Sequence, residues 1–405
     1  MTSRAALTFI FITMLIDTIS LGIIIPVSPT LIAGLTHQPL SGAAHWGGWL
    51  FFADAGMRFL CGPLIGNLSD RFGRRPMLIG SLVMLGVDYL LTGLAPTIIW
   101  LFVGRILSGM AGAAYPTANA YIADVSPPEK RAANFGLIGA AFGLGFVLGP
   151  ALGGLVGAHW GVRAPFYAAA AMSFANALFG LVVLKESLPR ERRRAFDWTR
   201  ANPLGALKAM RRFPGLMRLF AVLIFAQIAH DSLPSTWSYY TMLKFGWGPA
   251  EVGWSLVAIG AMSTATYAFL PGWLVSRIGE KRSVIAGLFC GAISYIGFAL
   301  TGTAWIFYAW MVPFNLSGVG GPALNALLSR DVPADEQGEL QGAVASANSL
   351  TSVAAMLLMP NLFGWFTGPS APVYFPGAAF TAASLCELLA LGVFVVAMRR
   401  VTPVS

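Results

Sequence analysis

Long apolar stretches with short polar punctuation run the whole length of the chain. They cover roughly residues 5–35, 45–68, 76–94, 98–124, 131–158 and 163–185, and, after one polar gap, 216–243, 250–276, 283–301, 303–330, 338–366 and 373–398. A helix needs about 20 apolar residues to cross a bilayer. Only a helix or a closed barrel satisfies its own backbone in hydrocarbon, and these runs are too long for barrel strands. The pattern predicts an all-α membrane protein with twelve transmembrane helices. The gap divides it into an N-terminal six-helix half over 1–185, a basic cytoplasmic linker over 186–215, and a C-terminal six-helix half over 216–405. The first run contains Asp17, outlasts a signal-peptide core and shows no cleavage pattern, so it reads as the first span and not as a leader.

Composition agrees. Hydrophobic residues make up 56% and charged residues 11% of 405 positions, too little charge for a soluble protein of this size. A net charge of +9 would suit a nucleic-acid binder, but its placement points elsewhere. All but four of the 26 Lys and Arg fall on one side of the predicted spans, the exceptions being Arg58, Arg105, Arg163 and Lys244. This positive-inside bias expects both termini in the cytoplasm. The linker, with Arg190, Arg192, Arg193, Arg194, Arg200, Lys208, Arg211 and Arg212, is expected to lie on anionic lipid. Cys61, Cys290 and Cys386 sit inside apolar runs, which argues against a disulfide framework or metal cluster. There is no HExxH, GxSxG or P-loop, so nothing points to an enzyme or to a cofactor.

The two halves echo each other. Gly66-Asn-Leu-Ser-Asp70-Arg71-Phe-Gly73-Arg74-Arg75 returns 206 positions later as Gly272-Trp-Leu-Val-Ser276-Arg277-Ile-Gly279, followed by Glu280, Lys281 and Arg282. Leu107-Ser108-Gly109 returns as Leu316-Ser317-Gly318. Paired helical halves with a site between them are a recurrent transporter plan.

At these residues the chain resembles the major facilitator superfamily, and within it the tetracycline–proton antiporter group of drug exporters. The stretch from Gly66 to Pro76 is similar to the superfamily signature between spans two and three. Asp17 to Pro26 resembles the group's first helix, and Val87-Asp88-Tyr89-Leu90 its acidic third helix. The run from Gly143 through Gly149-Pro150 to Gly154 resembles the span-five antiporter signature, and Ala120–Gly136 and Gly320–Gly342 extend the likeness. The resemblance implies a proton-coupled exporter of a small amphipathic, tetracycline-like compound in a bacterial inner membrane, acting as a monomer. It also implies that a divalent metal can travel with the substrate. Three positions depart from the group: its span-eight histidine falls on Ser263, its span-nine acid on Gly291 and a span-two glutamine on Arg58. An uptake permease or facilitator on the same scaffold is the alternative these departures leave open.

Ionisable groups inside a membrane cost roughly 2.5–3.5 kcal/mol each on insertion scales, so each is a candidate. For proton coupling these are Asp17, Asp88, Arg105, His230 and Asp231. Arg105 can hold span-one carbonyls or an acidic partner. His230 and Asp231 are expected to replace the missing span-eight and span-nine groups, although neighbours on a helix point about 100° apart. Asp54 and Arg58, four residues apart on one helix face, either neutralise each other or present Arg58 to an anionic substrate group. Asn119, Gln227, Asn315 and Asn325 are polar candidates for substrate contact, and Trp237, Tyr239, Tyr240 and Tyr267 are candidates for stacking. For gating, Gly66 is expected to allow close helix approach, Asp70 to cap a helix or pair with Arg74, and Asp124 to join them. Gly149 and Pro150 are expected to allow tight packing and a bend.

Overall fold

The computed structural model describes residues 3–112, 114–126, 131–196, 216–330, 332–333 and 336–399. The linker positions Arg200, Lys208, Arg211 and Arg212 lie outside the described residues. Fifteen α-helices are present among those described: α1 Ser3–Ile24, α2 Ser28–Thr36, α3 Leu40–Phe72, α4 Arg74–Leu94, α5 Ile98–Ala111, α6 Ala114–Val125, α7 Arg131–Trp160, α8 Ala164–Val183, α9 Met217–Phe245, α10 Pro249–Ile278, α11 Glu280–Leu300, α12 Ala304–Ser317, α13 Gly320–Arg330, α14 Gln337–Thr367 and α15 Ala378–Arg399.

Seven of these helices carry stretches long and apolar enough to cross a membrane, and α10 does so as a bent span. The bend is 47°, between Pro249–Tyr267 and Leu270–Ile278, next to Pro271. The remaining passes are interrupted or more polar. The runs expected over 98–124 and 303–330 are each two helices, α5–α6 parting at Gly112 and α12–α13 at Gly318. The run over 5–35 is α1 and α2, parted by a turn in which Val27 donates to the Ile24 carbonyl (3.3 Å). Pro26 lies in that turn; lacking a backbone N–H, it cannot extend a helix.

Helix packing repeats between the halves. In the first, α1 packs on α7 and α8, and α4 on α8 and α5; in the second, α9 packs on α14 and α15, and α11 on α15 and α12. By contacts the chain forms two compact units. One holds Met1–Pro39, Leu50–Pro203 and Trp247–Gly260; the other holds Leu40–Trp49, Leu204–Gly246 and Ala261–Ser405. The start of α3 thus belongs with the second half, and the start of α10 with the first. In the first unit Phe9, Ile10, Leu78 and Ile122 make one core, and Ile23, Val27, Tyr89 and Phe166 another. In the second, Phe220, Leu288, Leu328 and Phe394 anchor a larger one.

The α1–α7 seam is built on glycine. Side chains built at Gly145, Gly149, Gly153 and Gly157 would meet Thr18, Gly22, Ile23 and Val27 in turn. A Cβ on Gly149 would lie 2.8 Å from the Gly22 Cα. Four-residue spacing puts all four glycines on one face, and their lack of side chains lets the two backbones touch.

Candidate functional site: two buried polar groups

Two separate ion pairs hold mid-helix ionisable residues of the first unit. Arg105 on α5 donates from Nη2 to Asp88 Oδ2 on α4 at 2.5 Å. The Asp88 side chain is fully buried, and its Oδ1 accepts from Thr92 Oγ1 at 3.3 Å. Of the two partners expected for Arg105, the acid is the one present. Room for it comes from residue 104: a Cβ on Gly104 would meet Asp88 Oδ1.

One turn apart on α3, Arg58 donates to Asp54 Oδ2 at 2.9 Å, the pairing expected from their spacing. Asp54 is 14% exposed and Arg58 49%. The guanidinium lies over the α5–α6 break, where a Cβ on Gly112 would come within 2.9 Å of Arg58 Nε. Three carboxylates and two guanidiniums thus lie on α1, α3, α4 and α5: Asp17, Asp54 with Arg58, and Asp88 with Arg105. Among the described residues Asp17 Oδ1 and Asp54 Oδ1 are buried without a hydrogen-bond partner, which leaves acceptor capacity for a proton or a donor.

In the second unit Gln227 donates to Asp231 Oδ1 (3.0 Å) and to Ser352 Oγ on α14 (3.3 Å). Asp231 is 4% exposed, while its neighbour His230 is exposed. The helical turn thus separates the two members of the expected pair. Ser263 on α10 donates to Asn315 Oδ1 on α12 at 2.5 Å, and Asn315 Nδ2 donates to the Met311 carbonyl at 2.7 Å. A neutral hydrogen bond stands where an ionisable residue is missing. Tyr267 is 53% exposed and lies over Gly318 at the α12–α13 break. Asn119 is half-buried on α6, outside both groups.

Two expectations need correction. Trp237 is 1% exposed, sealed among Phe298, Phe307 and Phe380, with the Phe307 ring centroid 4.7 Å away. It packs a core and offers no face to a ligand in this structure. Tyr240 joins the same cluster and donates to the Phe298 carbonyl at 2.5 Å. Gly66 admits no neighbouring helix among the described residues, since a side chain there would meet none of them within 4 Å.

The Asp70, Arg74 and Asp124 set is assembled as expected: Arg74 reaches Asp70 at 2.6 Å and Asp124 at 3.3 Å. Asp70 is a pairing residue and no cap, for the α4 N-terminus is held from elsewhere. Glu186, just beyond α8, accepts from the Arg74 amide (2.8 Å) and the Arg75 amide (3.3 Å), and from Ser187 and Leu188 in its own turn. A carboxylate at a helix N-terminus satisfies orphan amides and complements the dipole. Gly73, at φ 106°, makes the turn into α4, and any side chain there would strike Glu186. Ser276 in the second copy donates within its own helix, to Trp273 O (2.9 Å).

Apolar helices in this number, with charges buried at mid-helix, mark a polytopic membrane protein. The chain belongs to the Major Facilitator Superfamily, whose profile matches residues 10–356 and, in a second match, 219–403. It is 38% identical over 367 residues to the class C tetracycline resistance protein of Escherichia coli, covering 90% of this chain and 91% of the relative. It is 35% identical over 353 residues to the class G tetracycline resistance protein of Vibrio anguillarum, covering 87% and 89%. Its fold matches a bacterial homologue of the human lysosomal transporter Spinster with a TM-score of 0.79 at 18% identity, covering 98% of this chain and 97% of that one.

Proposed function

We propose that the protein is a proton-coupled efflux transporter of a small amphipathic, tetracycline-like compound in a bacterial inner membrane, working as a monomer by alternating access. The observation that carries this reading is the set of mid-helix charges: the Asp88–Arg105 and Asp54–Arg58 pairs, and Asp17, with Asp17 Oδ1 and Asp54 Oδ1 buried without hydrogen-bond partners among the described residues. A charge at membrane depth is retained where it serves transport. Asp17 is the proton site, and Arg105 holds Asp88 so that the local charge responds when Asp17 takes up a proton. Arg58, half-exposed, receives an anionic group of the substrate, with Asn119, Asn315, Gln227 and Tyr267 as further contacts. The resistance proteins among the relatives support the compound class, and tetracycline carried as a divalent-metal complex is the form to test first.

Both termini are cytoplasmic on this reading, as the placement of Lys and Arg indicates. The Arg74 pairs with Asp70 and Asp124 then hold the cytoplasmic ends of α3, α4 and α6 together in one state and part in the other. The seam of α7 at Gly149 and Pro150 serves the same movement.

The test is proton flux in reconstituted vesicles on addition of tetracycline with magnesium. Tetracycline-evoked proton movement that is lost in Asp17→Asn supports antiport. Tetracycline movement without proton flux would favour the facilitator reading, to which the neutral Ser263–Asn315 bond and Gly291 are suited.

A further inference from the structure

The second unit holds a carboxyl that the reading above does not use. Glu387 lies at mid-length on α15, the last helix described, and is 7% exposed. Its Oε2 is buried without a hydrogen-bond partner. Among the described residues no Lys, Arg or His forms an ion pair with it.

The neighbours of Glu387 explain why it fits there. It packs on Gly291 of α11, where an added Cβ would fall 3.0 Å from the Glu387 Cδ and Oε1. The first unit has the same joint with different chemistry: the ring of Phe174 on α8 lies over Gly86 of α4, 2.7 Å from where a Cβ would be. One half thus fills this notch with an aromatic ring, the other with a carboxyl group. Packing alone explains a ring and does not explain a carboxylate in a lipid-embedded helix, where each charged group is costly.

The other helices against α15 are α9, α11 and α14. On α9 the buried ionisable group is Asp231, beside an exposed His230, and on α11 it is Tyr295, 1% exposed. Tyr267 of α10 also acts on Tyr295, and Cys386 adjoins Glu387 on its own helix. The side chains described on α14 include no ionisable one. The ionisable groups named around Glu387 are therefore one acid, two phenols and a thiol, and among the described residues no Lys, Arg or His pairs with it.

We propose that Glu387 binds and releases a proton during transport, as a site in the second half additional to the Asp17–Asp88 group. This rests on the antiport reading above for its role in coupling. In one state an O–H bond forms at Oε2 with a proton taken from water on the acidic side. In the other state the bond breaks and the proton passes to water on the opposite side. The glycine at 291 supplies the space in which the carboxyl can stand in either form.

The experiment uses the full chain in vesicles, comparing wild type with Glu387→Gln, which keeps shape, and Glu387→Asp, which keeps the acid. Tetracycline with magnesium is the probe, read as tetracycline exchange and as protons moved per tetracycline. Infrared difference spectra between acid and alkaline pH follow the carboxyl band directly. The expected result is retained exchange in Glu387→Gln, with the proton ratio lower by about one, the single proton a carboxyl can hold. A titrating carboxyl band should be missing in Glu387→Gln and shifted in Glu387→Asp. A Glu387→Gln protein with wild-type proton ratio and an unchanged infrared spectrum overturns the proposal. A wild type with no tetracycline-evoked proton movement defeats the antiport reading instead; the infrared band then decides proton binding at Glu387 by itself. If Glu387→Gln cannot be recovered folded, the band shift in Glu387→Asp carries the decision.

Discussion

Arg105 and Asp88 meet at 2.5 Å across α5 and α4, and Gly104, one residue before the arginine, is what lets the carboxylate lie there. The pair is inside the bundle, so each partner depends on the other for its charge balance.

Removing one partner should cost much more than removing both. Arg105→Ala or Asp88→Asn alone is expected to destabilise the protein by about 3–5 kcal/mol, because a buried charge is stranded. The Asp88→Asn, Arg105→Gln double variant should recover much of the thermal stability while transport stays lost. Melting curves of the three purified variants, set in a double-mutant cycle, provide the check.

Gly104→Ala introduces a single methyl against Asp88 Oδ1. Displacing that carboxylate should lower stability by about 1–3 kcal/mol, the usual cost of overpacking, and should reduce transport in the vesicle assay. A wild-type rate with an unchanged melting temperature would show that Asp88 has room to move.

Trp237 and Tyr267 should respond in opposite ways. Trp237→Ala empties a sealed aromatic core and is expected to cost about 3–5 kcal/mol, leaving the apparent substrate affinity of the surviving protein unchanged. Tyr267→Ala, at an exposed ring, should leave the melting temperature alone and alter affinity if the tyrosine meets the substrate. Parallel stability and affinity measurements separate the two roles.

Glu186→Ala leaves the Arg74 and Arg75 amides without their acceptor. Loss of a cap costs about 1 kcal/mol, and the effect should be local. Hydrogen exchange is expected to quicken at the first turn of α4 and to stay unchanged at its middle. Uniform quickening along α4 would mean that Glu186 supports the whole helix.

Much of this arrangement was legible in the sequence, because hydropathy in lipid is a strong constraint and ionisable residues within apolar runs stand out. Asp54 with Arg58 followed from a four-residue spacing, and the Arg74 pairs with Asp70 and Asp124 from the signature around them. The breaks at Gly112 and Gly318 were not foreseen, since the apolar runs continue through them. Trp237 was misplaced because hydropathy cannot tell a cavity wall from a sealed core. Glu186 was missed because its partners lie 111 and 112 residues earlier. Glu387 was missed although it is an acid within the last apolar run, and its meaning lies in Gly291, which only folding brings beneath it. Gly291 is also the position at which the resemblance expects an acid, so the carboxyl of Glu387 lies over the residue where one is absent from α11.

The glycine face of α7 against α1 has a mechanical consequence. Interlocked side chains act as teeth, and moving one helix along the other means resetting their rotamers. Where Gly149 lies against Gly22 there are no teeth to reset. Thr18, Val27 and Pro150 are the side chains that still meet at this seam, so on the alternating-access reading a slide of α1 would have few rotamers to reset, and the seam would work as a bearing.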